Sequence, residues 1–147
     1  MTTPIGSERP DEAPLETLMF RIIAEIDVAE ARRAARHIAG RHGFKTVQAY
    51  GFATAVSEIA TNLVLHADRG GVIHLTAALV NGIPTIGFTA EDDGPGIPDL
   101  ALAMQDGYST LGGLGCGLPG TRRLVDTFAL TTRPGEGTRI ACSLTRI

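Results

Sequence analysis

The order of the helices and strands that the sequence predicts indicates an α+β domain, in which helices cover one face of a single sheet. Residues 18–26 place Leu, Phe and Ile at alternating positions, as a half-buried strand does. Residues 46–67 repeat apolar side chains at spacings of three and four, which is the period of an amphipathic helix. Asn81-Gly82 separates two apolar runs and predicts a tight hairpin turn. A chain of 147 residues is long enough to enclose its own hydrophobic core.

Capping and helix-breaking residues place most of the remaining elements. Asp27 is the expected N-cap of a helix over residues 28–41, and Thr46 is the expected N-cap of the long helix. Gly70-Gly71 would end that helix. The other predicted elements are strands over 71–80 and 85–90, a short helix near 99–105, a helix from 119 to about 127, and a closing hairpin with strands 129–133 and 138–145.

The composition argues against several functional classes. The net charge is −3, and Lys and Arg cluster only in short pairs, whereas a nucleic-acid surface needs a concentrated basic face. No apolar run reaches the roughly 20 residues of a membrane helix, and the N-terminus lacks the layout of a signal peptide. We therefore expect a cytoplasmic protein in which Cys116 and Cys142 are thiols. Residues 1–15 are polar and contain three prolines, so we expect a disordered tail before a domain over residues 16–147.

The long predicted helix carries two polar residues with catalytic potential. Glu58 and Asn62 are four residues apart, so they share one face of the helix, and His66 continues that face. A carboxylate can accept a proton, and an amide oxygen can ligate magnesium. From spacing alone, a solvated polar face is the simpler interpretation.

Two glycine-containing segments adjoin regular elements. A predicted strand is followed directly by residues 91–99, whose sequence is Glu-Asp-Asp-Gly-Pro-Gly-Ile-Pro-Asp. In this segment, Asp92 could accept a hydrogen bond from the exocyclic amine of adenine. Residues 112–120 are rich in glycine and lead into a helix, an arrangement that presents backbone N–H groups to an anion. Taken singly, the two segments are also explained as a surface turn and a flexible loop.

The order of these motifs resembles that of the Bergerat-fold (GHKL) ATPases, which include gyrase, Hsp90, the catalytic domains of histidine kinases and the anti-sigma-factor kinases. The similarity extends from about residue 18 to residue 147, and the sequence resembles the RsbT-type stressosome switch kinases more closely still. Three segments carry it, namely residues 57–62, 91–99 and 106–120.

The resemblance implies a two-layer sandwich with a mixed, mainly antiparallel sheet, helices on one face, and a mobile lid of residues 97–114 over ATP. It also implies roles for individual residues. Glu58 would be the general base, Asn62 the magnesium ligand and Asp92 the acceptor for adenine, with Thr138 near the base. A further set would approach the nucleotide closely or donate backbone N–H groups to its phosphates: Gly94, Gly96, Gly113, Gly115 and Gly117.

The implied activity is ATP-dependent phosphorylation of Ser or Thr in STAS-domain scaffold or antagonist proteins of a bacterial stress-response switch. The kinase would then engage a downstream output protein, often a PP2C-type phosphatase. Residues 97–121 contain no Lys or Arg. Magnesium and backbone dipoles, helped by Arg122 or Arg123, would therefore have to offset the charge of the γ-phosphate.

Two other functions are compatible with the motifs. A nucleotide-binding anti-sigma-type switch would sequester a partner with little catalysis, but Glu58 favours catalysis because binding needs no base. A detached histidine-kinase catalytic domain would serve a phosphoacceptor helical hairpin, which this sequence does not contain. Other kinase folds are excluded, since the chain has neither a P-loop motif nor His-Arg-Asp and Asp-Phe-Gly motifs.

Overall fold

The computed structural model describes residues 12–67, 69–92, 117–133 and 137–147. Three helices and five strands account for most of this part of the chain. The helices are α1 (Glu25–Arg41), α2 (Thr46–His66) and α3 (Gly117–Leu124), and the strands are β1 (Glu12–Ile22), β2 (Gly71–Val80), β3 (Ile83–Asp92), β4 (Thr127–Arg133) and β5 (Gly137–Thr145).

The strands form one sheet in the order β1-β2-β3-β5-β4, and every described pair of neighbours is antiparallel. Because side chains alternate between the two faces of a strand, buried residues two positions apart share one face. This buried face consists of Ile73, Leu75 and Ala77 in β2, Ile86, Phe88 and Ala90 in β3, and Ile140, Cys142 and Leu144 in β5.

Helices α1 and α2 cover that face, which confirms the predicted α+β class. Phe52 of α2 is fully buried and packs edge-to-face on Phe88, with ring centroids 5.9 Å apart and an angle of 65° between the ring planes. Burying a side chain of this size stabilises the fold by roughly 1.5–3 kcal/mol. Helix α3 packs in turn against α2.

The turn between β2 and β3 has the predicted conformation. Asn81 and Gly82 both have positive φ angles, of 53° and 77°, as a type I′ turn requires at its two central positions. The register then runs without a shift to the pair of Gly71 and Asp92. The turn therefore determines which residue of β2 lies opposite Asp92.

The first residues of α1 and α2 differ from the prediction. Ala24 is the N-cap of α1, and Oδ2 of Asp27 accepts hydrogen bonds of 2.9 Å from the backbone N–H groups of Ala24 and Ile23. These two hydrogen bonds lower the pKa of Asp27. An N-cap side chain accepts from N–H groups inside the first turn, whereas Asp27, the third residue of the helix, accepts from the N–H groups that precede it. Acidic residues favour both positions, so the pattern predicts the helix but not its first residue. Lys45 is the N-cap of α2, which makes Thr46 its first helical residue.

Strand β1 begins at Glu12, so residues 12–15 are strand and not part of the predicted tail; residues 1–11 lie outside the described part of the chain. Its pairing with β2 extends from Glu12 opposite Val80 to Ile22 opposite Gly71, with an irregularity between Pro14 and Glu16. Backbone hydrogen bonds to β2 stabilise residues 12–15 as a strand. The polar composition of this segment does not predict that pairing. Proline is tolerated because β1 is an edge strand.

Two further observations concern membrane-spanning helices and the cysteines. Among the helices that the structure describes, none is both long and apolar enough to cross a membrane. Cys142 is fully buried in β5, and this burial raises the pKa of its thiol to about 12. Cys116 lies outside the described residues.

Candidate functional site

The carboxylate of Asp92, the last residue of β3, contacts the beginning of β5. Oδ1 of Asp92 accepts a hydrogen bond from the backbone N–H of Thr138, with 3.1 Å between the oxygen and the nitrogen. Asp92 is partly exposed, whereas Thr138 is buried. Two residues that the sequence analysis assigned to one binding site, 46 positions apart in the chain, are therefore in direct contact.

Gly137 makes room for this contact. Its φ angle is +91°, and a Cβ atom at this position would lie 2.5 Å from the carbonyl oxygen of Asp92 and 2.7 Å from Oδ1. Any other residue would be strained in the left-handed region and would also collide with Asp92. In the sequence, Gly137 belongs to the turn of the closing hairpin and to a Gly-x-Gly-Thr motif that ends at Thr138. Its positive φ angle and its contact with Asp92 are not visible there.

The end of α2 that carries Asn62 lies over the same end of the sheet. A Cβ atom on Gly71 would be 2.9 Å from Cδ2 of Leu63, the residue after Asn62, and 2.2 Å from the carbonyl oxygen of Glu91. Gly71 is also the residue that pairs with Asp92. The absence of a side chain at position 71 thus allows α2 to pack closely on the strand ends beside Asp92.

Glu58 and Asn62 lie on the flank of α2 and not in its core-facing stripe. Both are partly exposed, whereas Ile59 and Leu63, which follow them directly, are buried against the sheet. The two polar side chains are separated by one helical turn, about 5.4 Å of rise. His66 is the last residue of α2. The three residues therefore keep the helical spacing of one face, and Asn62 precedes the Leu63 that packs beside Gly71.

An ion pair that the sequence analysis did not predict joins the same two strand ends on the opposite face of the sheet. Nε of Arg139 donates to Oε1 of Glu91 across 2.9 Å, and the two residues are direct partners in the β3–β5 register. Both side chains are about half exposed, so the pair contributes less than about 1 kcal/mol. It links the same two strands as the contact between Asp92 and Thr138, but on the other face of the sheet.

The glycine-rich segment is described only at its end. Gly117 is the first residue of α3, while Gly94, Gly96, Gly113, Gly115 and the predicted lid over 97–114 lie outside the described residues. Cδ2 of Leu124 at the other end of α3 approaches within 3.8 Å of the Cβ position of Gly51 in α2. The helix that follows the glycine run therefore packs on the helix that carries Glu58 and Asn62. Arg122 and Arg123 are exposed on α3.

The described residues contain no group of three or more His, Cys, Asp or Glu side chains that could hold a metal ion. Asn62 was assigned to magnesium as a single amide ligand, and magnesium in nucleotide sites commonly takes one or two protein ligands together with phosphate oxygens and water. One partly exposed amide on α2 fits that requirement.

Comparison with known proteins places this arrangement in a family. The sequence profile of the histidine kinase-like ATPase domain matches residues 24–143, a range that includes Glu58, Asn62, Asp92 and Thr138. The chain belongs to the histidine kinase-like ATPase family. It is 46% identical over 120 residues to the serine/threonine-protein kinase RsbT of Bacillus subtilis, covering 82% of this chain and 90% of that protein. Within the family it therefore belongs with the RsbT-type serine/threonine kinases, as its motifs predicted.

Two more distant similarities agree with this placement. An anti-sigma F factor of Caldanaerobacter subterraneus is 33% identical over 92 residues, which are 59% of this chain and 63% of that protein. A crystal structure of the RsbU and RsbW domains of a Mycobacterium tuberculosis protein superposes with a TM-score of 0.61 at 18% identity, covering 91% of this chain and 34% of that one. At this identity the superposition supports the fold alone.

Proposed function

We propose that this chain transfers the γ-phosphate of magnesium-bound ATP to a Ser or Thr of a partner protein in a bacterial stress-signalling switch. The observation that carries the proposal is the contact of Asp92 with Thr138 at the end of the sheet over which the Asn62 end of α2 packs. The similarity to RsbT supports the same chemistry.

Asp92 would hold the adenine. A carboxylate has about four lone-pair sites, so accepting the N–H of Thr138 is compatible with accepting the exocyclic amine of the base as well. The hydrogen bond from Thr138 fixes the orientation of the carboxylate before ATP arrives. Thr138 itself would lie next to the base, and Gly94 and Gly96 would let the chain pass close to it.

The phosphates would lie between the glycine-rich segment and α2. Gly113, Gly115 and Gly117 would donate backbone N–H groups, and the N-terminus of α3 adds a dipole that favours negative charge. Asn62 would hold magnesium, which supplies the positive charge that phosphoryl transfer requires.

Glu58 would act on the protein substrate. Its position one turn from Asn62 places a carboxylate beside the metal ligand, where it can accept the proton of the attacking Ser or Thr hydroxyl. Since positioning and charge neutralisation dominate phosphoryl transfer, one base suffices for the protein's share of the chemistry.

We assign STAS-domain proteins as the substrates and a PP2C-type phosphatase or another output protein as the downstream partner, with all of them in the cytoplasm. The similarity to RsbT and to an anti-sigma F factor supports a partner-switching role. The substrate would release the kinase once phosphorylated, which frees it for the output protein.

The test is transfer of labelled γ-phosphate from ATP to a STAS-domain protein encoded beside this chain, with and without magnesium. Labelling that requires magnesium and is lost with Asn62→Ala is the expected result. Val47→Ala, at an exposed position near the other end of the same helix, is the control that should retain labelling. Tight ATP binding without transfer to any neighbouring protein would contradict the kinase proposal.

A sequestering switch is the second candidate, and the similarity to an anti-sigma F factor is the observation that favours it. Such a protein would bind ATP and a partner but would leave the partner unphosphorylated. The same assay separates the two functions, because only the kinase labels its partner.

A further inference from the structure

A groove follows the exposed seam between α1 and α2. It consists of two adjoining depressions of about 350 and 420 Å³ that share Arg36 and Tyr50. We call this feature the α1–α2 groove. Its lining residues lie along α1 from Ala29 to Arg41, in the connection after α1, and in the first half of α2. Asn62 lies near the far end of α2, so the groove is separate from the proposed nucleotide site.

The first depression is strongly basic. Arg32, Arg33 and Arg36 line it, and its other lining residues are uncharged. In the described part of the chain no ion pair neutralises Arg32 or Arg33, and both are exposed. Three cations on two turns of one helix stand out on a chain whose net charge is −3.

Arg36 is held in place by Tyr50. Its Nη1 atom donates to the hydroxyl oxygen of Tyr50 at 3.2 Å, and the guanidinium carbon lies 5.3 Å from the centre of the tyrosine ring. A guanidinium that is ordered in this way loses less conformational entropy when it pairs with a carboxylate.

The second depression is mainly apolar. Its apolar surface comes from residues such as Phe44, Ala49 and Tyr50 beside Gly40, and Tyr50 is 53% exposed. The other lining residues are Arg36, His37, Arg41 and Thr46. Gly40 contributes no side chain, and no atom lies within 4 Å of the position that its Cβ would take. An exposed Tyr and Arg around an open apolar depression are the components of a protein-binding hot spot.

We propose that the α1–α2 groove docks an acidic segment of a partner protein. Carboxylates of that segment pair with Arg36, which Tyr50 already orders, and with the neighbouring Arg32 and Arg33. An apolar side chain fills the depression beside Gly40. Along α1, positions 33 and 40 are separated by a rise of roughly 10 Å. On a helical partner segment, the carboxylate and the apolar side chain that bind the two depressions are therefore about two turns apart. An acidic protein segment uses both depressions, whereas the phosphate backbone of a nucleic acid has no group for the apolar one. This docking function is additional to phosphoryl transfer. It uses none of the residues that are proposed to bind ATP or to transfer its phosphate.

Three defined polymers test the proposal on the full chain by fluorescence anisotropy: a random copolymer of Glu and Leu, poly-L-glutamate, and duplex DNA. We expect the copolymer to bind most tightly and its binding to weaken as salt is added, because exposed charge pairs are screened. Tighter binding of DNA than of the copolymer, or no binding of the copolymer, would overturn the proposal.

Two variants separate the two depressions. Arg32→Glu/Arg33→Glu should weaken copolymer binding at least about tenfold, whereas Arg21→Glu/Arg69→Glu, the same charge change at exposed positions outside the groove, should not. Gly40→Leu should remove the preference for the copolymer over poly-L-glutamate while the helix stays at least as stable, since Leu is a better helix former than Gly. If Arg32→Glu/Arg33→Glu binds the copolymer as the unmodified chain does, the groove is not the docking site.

Discussion

The backbone N–H of Thr138 donates a hydrogen bond to the carboxylate of Asp92, and this contact joins the ends of two neighbouring strands. It orients a carboxylate at the end of the central strand, where the second half of α2 packs. The geometry makes Asp92 a positioned acceptor and not merely a charge in a surface turn.

Asp92→Asn should weaken ATP binding about 10- to 100-fold, the range for losing a hydrogen bond to a charged group. An amide that accepts the N–H of Thr138 through its oxygen turns its NH₂ group toward the adenine amine, so two donors face each other. Isothermal titration with ATP measures the change. Glu91→Gln is the matched control, because the adjacent Glu91 belongs to the other face of the sheet, and it should bind ATP normally. Equal affinities of the Asp92→Asn variant and the unmodified chain would remove Asp92 from the site.

Gly137→Ala should both destabilise the fold and abolish nucleotide binding. The new Cβ is strained at a φ of +91° and collides with Asp92, and together these effects cost about 1–3 kcal/mol. Gly82→Ala provides the control, since its φ of +77° gives similar strain but nothing lies within 4 Å of its Cβ position. Denaturant unfolding should therefore show a loss for both variants, and ATP titration a loss for Gly137→Ala alone. Normal ATP binding by folded Gly137→Ala would contradict the role of this contact.

Glu58→Gln should reduce phosphoryl transfer about 10²- to 10⁴-fold, the usual contribution of a general base. The substitution keeps the size of the side chain and its place on α2, so the affinity for ATP should be unchanged. Single-turnover transfer and ATP titration on the same preparation separate the two effects. Undiminished transfer by Glu58→Gln would sink the assignment of the base.

Glu16 should make the fold sensitive to acid. Hydrogen bonds from Arg41 and then from His42 lower the pKa of Glu16 below its ordinary value of 4.5. A carboxyl whose pKa is lowered by folding stabilises the protein above its unfolded pKa, and that stability is lost as the pH falls through the folded pKa.

Because Glu16 is partly exposed, solvent screening keeps its effect below about 1 kcal/mol. Glu16→Gln should therefore unfold at lower denaturant concentration than the unmodified chain near neutral pH, and the difference should disappear in acid below the lowered pKa. Glu30→Gln, at an exposed position of α1, is the control that should unfold like the unmodified chain. A difference that persists unchanged in acid would rule out this ion-pair explanation.

The sequence predicts the bounds of a helix or strand well where residues at its two ends determine where it starts and stops. Strand β2 occupies the predicted residues 71–80 because Gly71 and the Asn81-Gly82 turn mark its ends. The start of β1 was missed because it depends on pairing with β2, at a distance of more than fifty residues in the chain. Local composition does not contain that information.

The same distinction applies to the candidate site. Glu58 and Asn62 were placed on one helix face by spacing alone, whereas their roles came from the resemblance to a family. The contact between Asp92 and Thr138 depends on the register of β3 against β5, and so does the pair of Glu91 with Arg139. These are long-range relationships, which only the folded chain makes visible.

The most direct test of the proposed nucleotide site is a crystal structure of the chain with magnesium and a non-hydrolysable ATP analogue. We expect the exocyclic amine of adenine about 3 Å from a carboxylate oxygen of Asp92 and magnesium about 2.1 Å from the amide oxygen of Asn62. An analogue bound elsewhere, or bound with its base away from Asp92, would contradict the proposed site.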